Sequence, residues 1–453
     1  MLRHTATRHR TWLTATLLAS VALPAFALSA FAQAPAPAAA PAATPAAAPA
    51  AEPASTGLVI DGIKLSGQVQ AGFMMNPFRP STGLNFGQLF TDRANAAALN
   101  QILLTAEKKI DLENTDFQWG FKLQGMFGTD ARYTQYLGVM NNVSPNSRYQ
   151  PDIVEANFQM RLPIFSGGMD IKAGMFSTPL GAELIDPATN LFYSHSYIFQ
   201  FGLPFKHTGL LTVSHVHPML DLYAGVDTGA NTTWGPLGDN NGAIGGILGA
   251  GLNLMDGKLT ILGLSHFGPE NATRALSPLG VNANGKWRYF NDIVITYKPT
   301  DELTLITELN WVREQYNALN GKPANAFGVA QYVSYALNER LTLNARAEVW
   351  RDDNNFFVAS FANNSDPIRF QQGLPSRGAV YAAPGTNTTY GSLTLGVTWK
   401  PEVPISFATV AIRPEIRWDH ALTSNKPFNN NSLTNTRGTS DNFTFGADIV
   451  FSF

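Results

Sequence analysis

Near the C-terminal end, Arg413, Glu415, Arg417 and Asp419 alternate in sign at every second position. On an extended chain such residues share one face about 7 Å apart, so they form a ladder of fixed charge that either steers ions or neutralises itself. Histidine chemistry has thinner support. Beyond the N-terminal leader stand His195, His207, His215, His217, His266 and His420. His215 and His217 have the i, i+2 spacing that puts both on one strand face, yet no carboxylate accompanies them and Pro218 marks a turn. Ser194 and His195 are neighbours, which point apart on a strand and make no nucleophile and base pair by themselves. The chain has no cysteine, which removes disulfides, thiolate metal sites and cysteine nucleophiles together. No phosphate-cradling loop or HExxH helix appears. The expectation is a protein that is not an enzyme and needs no cofactor and no metal.

Residues able to line a polar passage are far more numerous. By the same parity, Arg161, Arg288, Arg346, Arg413 and Arg417 share a face with Lys64, Lys109, Lys122 and Lys172. Glu107, Asp116, Glu155, Asp292, Glu308, Glu348, Glu415 and Asp419 match them nearly one for one. Such a wall implies no strong preference for anions or cations.

The elements that carry these residues read as strands. Ile63, Leu65, Val69, Ala71, Phe73 and Met75 alternate with Lys64, Ser66, Gln68 and Gln70. The period of two places an apolar face opposite a wet one. The pattern recurs in Phe117 to Phe127, Val154 to Leu162, Trp287 to Lys298, Leu303 to Glu314, Leu341 to Asp352, Tyr390 to Lys400, Val410 to Asp419 and Asn442 to Phe453. Sixteen segments can be drawn, most about ten to thirteen residues long, which suits tilted membrane strands better than soluble ones. Over residues 57–453 that leaves about 25 residues per strand with its connection; fourteen or eighteen strands fit the same arithmetic.

Composition narrows the class. Only 14% of the 453 residues are charged against about 25% in ordinary globular chains, and mean hydropathy is -0.06. No apolar run beyond the first 32 positions is long enough for a spanning helix. With 31 basic and 33 acidic residues there is no cationic excess for nucleic acid. Arg3, Arg8 and Arg10 before the apolar stretch Trp12 to Phe31, and Ala30-Phe31-Ala32, have the form of a secretory signal over residues 1–32, cleaved after Ala32. Residues 33–56 form an Ala/Pro-rich periplasmic linker of extended character.

Connections alternate between short turns and long polar loops. The short ones fall near 112–115, 163–168, 217–219, 255–257, 299–302, 338–340 and 401–405; the long ones include 76–97, 128–150, 176–207, 268–286, 352–388 and 420–441. These are the two rims of an outer-membrane barrel. Trp287, Tyr289, Tyr297, Trp311, Tyr335, Trp399, Trp418, Phe443 and Phe451 cluster where strands end, as headgroup anchors do. The fold class is therefore all-β: a transmembrane antiparallel up-and-down β-barrel of about sixteen strands over residues 57–453. Pro414 interrupts one strand on the outward parity, where a ladder donor is lost.

Within the long loop, Thr178-Pro179-Leu180-Gly181, Glu183, Asn190-Leu191-Phe192-Tyr193-Ser194 and Pro204-Phe205-Lys206-His207-Thr208-Gly209 resemble the signature of the OmpL-like β-barrel porins. Asn85-Phe86-Gly87, Leu89-Phe90, Asp92 and Leu99-Asn100-Gln101 fit the same family. Lys206 stands where that signature suggests threonine. The terminal pattern ending at Phe451 and Phe453 is similar to the signal read by the barrel assembly machinery. The resemblance implies a porin in the bacterial outer membrane and, by family analogy, a homotrimer. Outer-membrane lipid, the assembly machinery and small hydrophilic solutes would be its partners, with no nucleic acid. Sixteen strands leave an aqueous lumen. Loop 176–207 is the candidate constriction, with Glu183, Asp186, Asn190, Tyr193, Lys206 and His207 facing wall residues Arg161, Arg288, Arg346, Arg413, Glu415 and Arg417. An external lid is the alternative position for that loop. A rim hydrolase and a non-conducting structural or adhesion barrel are the alternative functions.

Overall fold

The computed structural model describes residues 57–453 except 146, 319, 359–366, 375–386, 406 and 430–437. The expected signal peptide at residues 1–32 lies outside the described residues, and so does the linker at 33–56. After a three-residue strand, β1 (Leu58–Ile60), which folds back on its successor, come β2 (Ile63–Met75), β3 (Ala96–Lys108), β4 (Gln118–Gly128), β5 (Gln150–Leu162) and β6 (Met169–Ser177). Then follow β7 (Lys206–His217), β8 (Leu220–Asp227), β9 (Gly245–Leu254), β10 (Leu259–Pro269), β11 (Trp287–Tyr297) and β12 (Leu303–Glu314). The last are β13 (Ala324–Asn338), β14 (Leu341–Asp352), β15 (Thr388–Trp399), β16 (Thr409–Ala421) and β17 (Asp441–Ser452).

From β2 to β17 every strand pairs antiparallel with its neighbours in sequence, and β17 returns to β2 with Val450 opposite Gln70. The sheet is thus a closed barrel of sixteen strands, as the segment count anticipates. Beyond β17, the backbone N–H and C=O of Phe453 both bond to Gly67, and its ring covers the space where a Gly67 side chain would stand. Closure gives each of β2 to β17 a partner strand on both sides and leaves no free edge in the ring, which hydrocarbon demands.

Side-chain parity follows the sequence. In β16, Arg413, Glu415, Arg417 and Asp419 are buried toward the interior while Pro414, Ile416 and Trp418 face outward. Pro414 leaves a local gap. Pairing with β15 runs from Tyr390 opposite Ala421 to Gly396 opposite Glu415, then resumes at Trp399 opposite Ile412. The missing N–H breaks the ladder without moving the register. On the outer face aromatics stack across strands, Trp311 on Phe327 and Trp418 on Phe443 among them, at 6.3 and 6.1 Å between rings.

Phe158 tests the outward face. It is 44% exposed in the middle of β5 and stacks on Trp119, whereas its neighbour Gln159 turns inward to Asn157. Phe158→Arg is expected to cost about 2 to 4 kcal/mol and to impair assembly, while Gln159→Arg folds normally. Denaturant titration of the refolded variants in detergent checks this; equal tolerance of the two would reverse the parity.

Candidate permeation site

The connection between β6 and β7 does not leave the barrel. Residues 178–205 lie across its interior, so the loop is two residues shorter at each end than the sequence suggests: Lys206 and His207 already belong to β7. We call this segment the strap. Phe192, Tyr193, Tyr197, Phe199, Phe201 and Phe205 are all buried in it.

A backbone inside a barrel has no sheet partner, and its polar groups must be satisfied by something else. Here wall side chains do it. Asp292 accepts from the N–H of Gly181 at 3.0 Å and Glu308 from Ala182 at 3.1 Å. Glu415 accepts from Tyr193 at 2.9 Å and from Ser194 at 3.2 Å; Glu348 accepts from Tyr197 and Ile198, both at 2.9 Å. Arginines take the carbonyls. Arg346 donates to Ser194 O at 2.9 Å, Arg413 to Pro187 O at 2.7 Å, and Arg417 to His195 O at 2.5 Å. The sign-alternating row on β16 is therefore only partly self-neutralised. Arg417 pairs with Asp419 at 2.7 Å and Arg413 with Asp448 on β17, but Glu415 serves the strap.

The candidate residues of the strap divide in two. Glu183 is central: Arg346 Nη1 stands 2.7 Å from it, His195 Nδ1 2.6 Å and the Ser196 N–H 3.1 Å, with the Tyr332 hydroxyl at 3.0 Å. Tyr193 reaches Asn100 through its hydroxyl at 3.0 Å. Asp186 meets Gln68 at 2.9 Å, and Asn190 clips the strap to itself by bonding the N–H and the carbonyl of Leu184. Lys206 and His207 instead anchor the strap's end at the wall, Lys206 on Asp152 at 2.7 Å and His207 on Asp227 at 2.6 Å. Among the wall candidates, Arg346, Arg413, Glu415 and Arg417 touch the strap. Arg161 is tied to Asp170 and Leu112 O at the short-turn rim, and Arg288 pairs with Glu314 at the opposite rim. His215 is not without carboxylates: Asp221 at 2.6 Å and Asp170 at 3.2 Å flank it, the first on the far arm of its hairpin and the second on β6.

Two features escape a reading by alternation. The first is a set of inward glycines against which strap side chains press. A Cβ on Gly72 would lie 2.4 Å from the Tyr193 ring, one on Gly328 2.5 Å from Ile198, and one on Gly396 3.1 Å from Phe192. Glycine at inward parity on a long strand is the signal that finds them. The second is a β-bulge in β3 that turns Asn100 and Gln101 both inward. Asn100 binds Phe90 O and Asp130, while Gln101 binds Asp130 and Ile185 O. Through them the first long loop also enters the barrel: Leu89 N donates to Gln200, Gln88 donates to Asp419, and Phe90 packs edge-on against Tyr133 and Phe205.

Among the described residues, two of the larger cavities flank the strap. One of about 480 Å³ opens at the short-turn rim between Lys64, Gln68, Lys122, Gln124, Asp186 and Lys400. The other, about 80 Å³, lies among Phe201, Phe205, Arg288, Phe290, Phe357 and Phe370. Burial pushes the Glu183 carboxyl up, but Arg346, His195 and the Ser196 N–H outweigh it and hold the group near 2. A carboxyl held below its ordinary 4.5 stabilises the strap fully above that pH and loses the contribution as pH falls toward 2. Channel currents are expected to stay steady down to about pH 5 and to grow noisier or larger between about pH 4 and 2. Steady current to the lower limit in planar bilayers would separate Glu183 from the strap's hold.

A closed antiparallel barrel of sixteen strands, greasy outside and charged within, defines the porin class of outer-membrane proteins. Over residues 62–453 the chain matches the family described as "Putative beta-barrel porin-2, OmpL-like", and it belongs to that family. Its fold is similar to the anion-selective porin from Comamonas acidovorans, at 10% identity over 86% of this chain and 99% of that one, with a TM-score of 0.51. It is also similar to Pseudomonas putida OprB at high pH, at 14% identity over 86% and 94%, with a TM-score of 0.50. These likenesses are of fold. No curated protein matches the sequence.

Proposed function

We propose that the protein is a diffusion channel of the bacterial outer membrane, passing small hydrophilic solutes or ions through a lumen narrowed by the strap. The observation that carries this reading is the interior polar lattice. Glu348 and Glu415 with Arg346, Arg413 and Arg417 surround the strap and its own Glu183, which places fixed charge of both signs inside the barrel. The near balance of signs favours weak ion preference. The protein reaches the membrane after export and removal of residues 1–32, with the terminal Phe451 and Phe453 as its assembly signal, and works as a homotrimer.

A hydrolase is the less supported reading. Thr178, His207 and Asp227 do line up, with His207 Nε2 3.0 Å from the Thr178 hydroxyl and its Nδ1 on Asp227. Thr178 and His207 are buried, however, and neither lines the two lumen cavities. A nucleophile needs access to substrate.

Reversal potentials in a salt gradient across a planar bilayer test the proposal. Discrete conductance steps with a reversal potential close to zero are expected. A preparation that inserts and never conducts would leave a structural barrel, and a large reversal potential of either sign would refute the balanced wall.

A further inference from the structure

We propose that His207, Asp227 and His266 form a binding site for one divalent transition metal of the zinc type, set in the barrel wall beside the strap's two ends. The residues come from three strands. His207 on β7, Asp227 on β8 and His266 on β10 all point inward near the long-loop rim, and one ligand atom from each lies within 4.8 Å of the other two. Asp227 Oδ2 is 2.6 Å from His207 Nδ1 and 3.0 Å from His266 Nε2. Two imidazoles and a carboxylate are the donor set of borderline divalent metals, which bind them at about 2.0 to 2.2 Å with a fourth position left for water.

The hydrogen-bond inventory around these residues points to the ion. Asp227 is an acceptor, and it already takes the Gly229 N–H at 2.9 Å. A neutral His266 that donates to it from Nε2 turns a bare Nδ1 outward. That nitrogen faces Glu270 Oε1 at 3.7 Å, and both atoms are buried without a hydrogen-bond partner. Acceptor then faces acceptor, a costly arrangement at a buried position. A metal on Nε2 reverses this: the proton moves to Nδ1, which donates to Glu270. His207, bound through Nδ1, likewise has its Nε2 proton directed at the Thr178 hydroxyl, 3.0 Å away. Each metal-bound imidazole would thus own an outer acceptor, the arrangement that fixes tautomer and ring orientation in metal sites. Glu270 is itself held by the Ala230 N–H at 3.0 Å. Gly245 completes the setting, because a Cβ there would stand 2.4 Å from Asp227 Oδ1 and 2.9 Å from His266 Nε2. The site needs that space free of side chain.

Position gives the ion a consequence. Thr178 begins the strap and His207 stands two residues beyond its last, Phe205, so the metal ties both ends to β8 and β10.

The test uses the full chain without an affinity tag, unfolded with chelator, refolded in detergent and titrated with Zn²⁺ alone. One equivalent is expected to bind, to be lost in His266→Gln and Asp227→Asn, and to persist in His420→Gln, whose partly exposed histidine sits on Asp441 at the rim. X-ray absorption of the wild-type zinc form is expected to show a nitrogen and oxygen shell at about 2.0 to 2.1 Å containing two imidazoles. If the substituted chains do not assemble, that spectrum decides alone. No zinc uptake by the wild type would mean that a protonated His266 spans the gap to Glu270, and would overturn the site. Undiminished uptake by His266→Gln, or a shell with fewer than two imidazoles, would overturn it as well.

Discussion

Removing residues 184–198 is expected to raise single-channel conductance several-fold while the barrel still assembles. The deletion takes away Tyr193 and Tyr197 and the backbone groups that bind Glu348, Glu415, Arg413 and Arg417. It leaves every rung of the wall ladder in place, because strap and wall meet through side chains. A sixteen-strand barrel without an internal segment encloses an aqueous lumen, so the freed charges rehydrate. Conductance unchanged from the full chain would put the strap outside the conduction path and end its role as the constriction.

The second large effect is expected from Arg346→Ala. Its guanidinium is fully buried and bridges Glu183 at 2.7 Å, Ser194 O at 2.9 Å and the Thr394 hydroxyl at 3.3 Å, with the Phe192 ring 5.0 Å away. Truncation strands Glu183 near Glu308 and Glu348 with one cation fewer, and breaking a buried pair from one side costs about 3 to 5 kcal/mol. That loss falls on the strap and spares the ladder. The variant is expected to keep its barrel, to give noisy, enlarged currents and to be cut by protease within residues 178–205. Arg346→Lys restores charge but not the forked reach to Ser194, so it recovers only part of the hold. Wild-type currents and an uncut strap in Arg346→Ala would show that the strap is held elsewhere.

The barrel was legible because its rule is local. Period two, the alternation of short and long connections and a terminal Phe453 each follow from a few neighbouring residues, and together they give parity and rims and a strand number of about sixteen, with fourteen or eighteen left open. Even Pro414 behaves as its chemistry dictates: it removes one donor and leaves the register intact. The strap's partners are not legible in this way, because they are distant. Gly181 meets Asp292 across 111 positions and Pro187 meets Arg413 across 226, and no local pattern encodes such pairs. Parity puts Arg161 and Arg288 on the inner face but says nothing of height along the barrel, and both stand at rims, away from the strap. The bulge at Asn100 is invisible for a related reason: one extra residue breaks the alternation that makes strands readable.

The same sequence separations bear on the order of biogenesis. Residues 178–205 leave the ribosome long before β11 through β16, which hold most of their docking groups. Those strands must be paired before their groups can surround the strap, and long chain loops must be ordered before such contacts form. The strap's full set of wall contacts therefore exists only once β11 through β16 stand in the barrel.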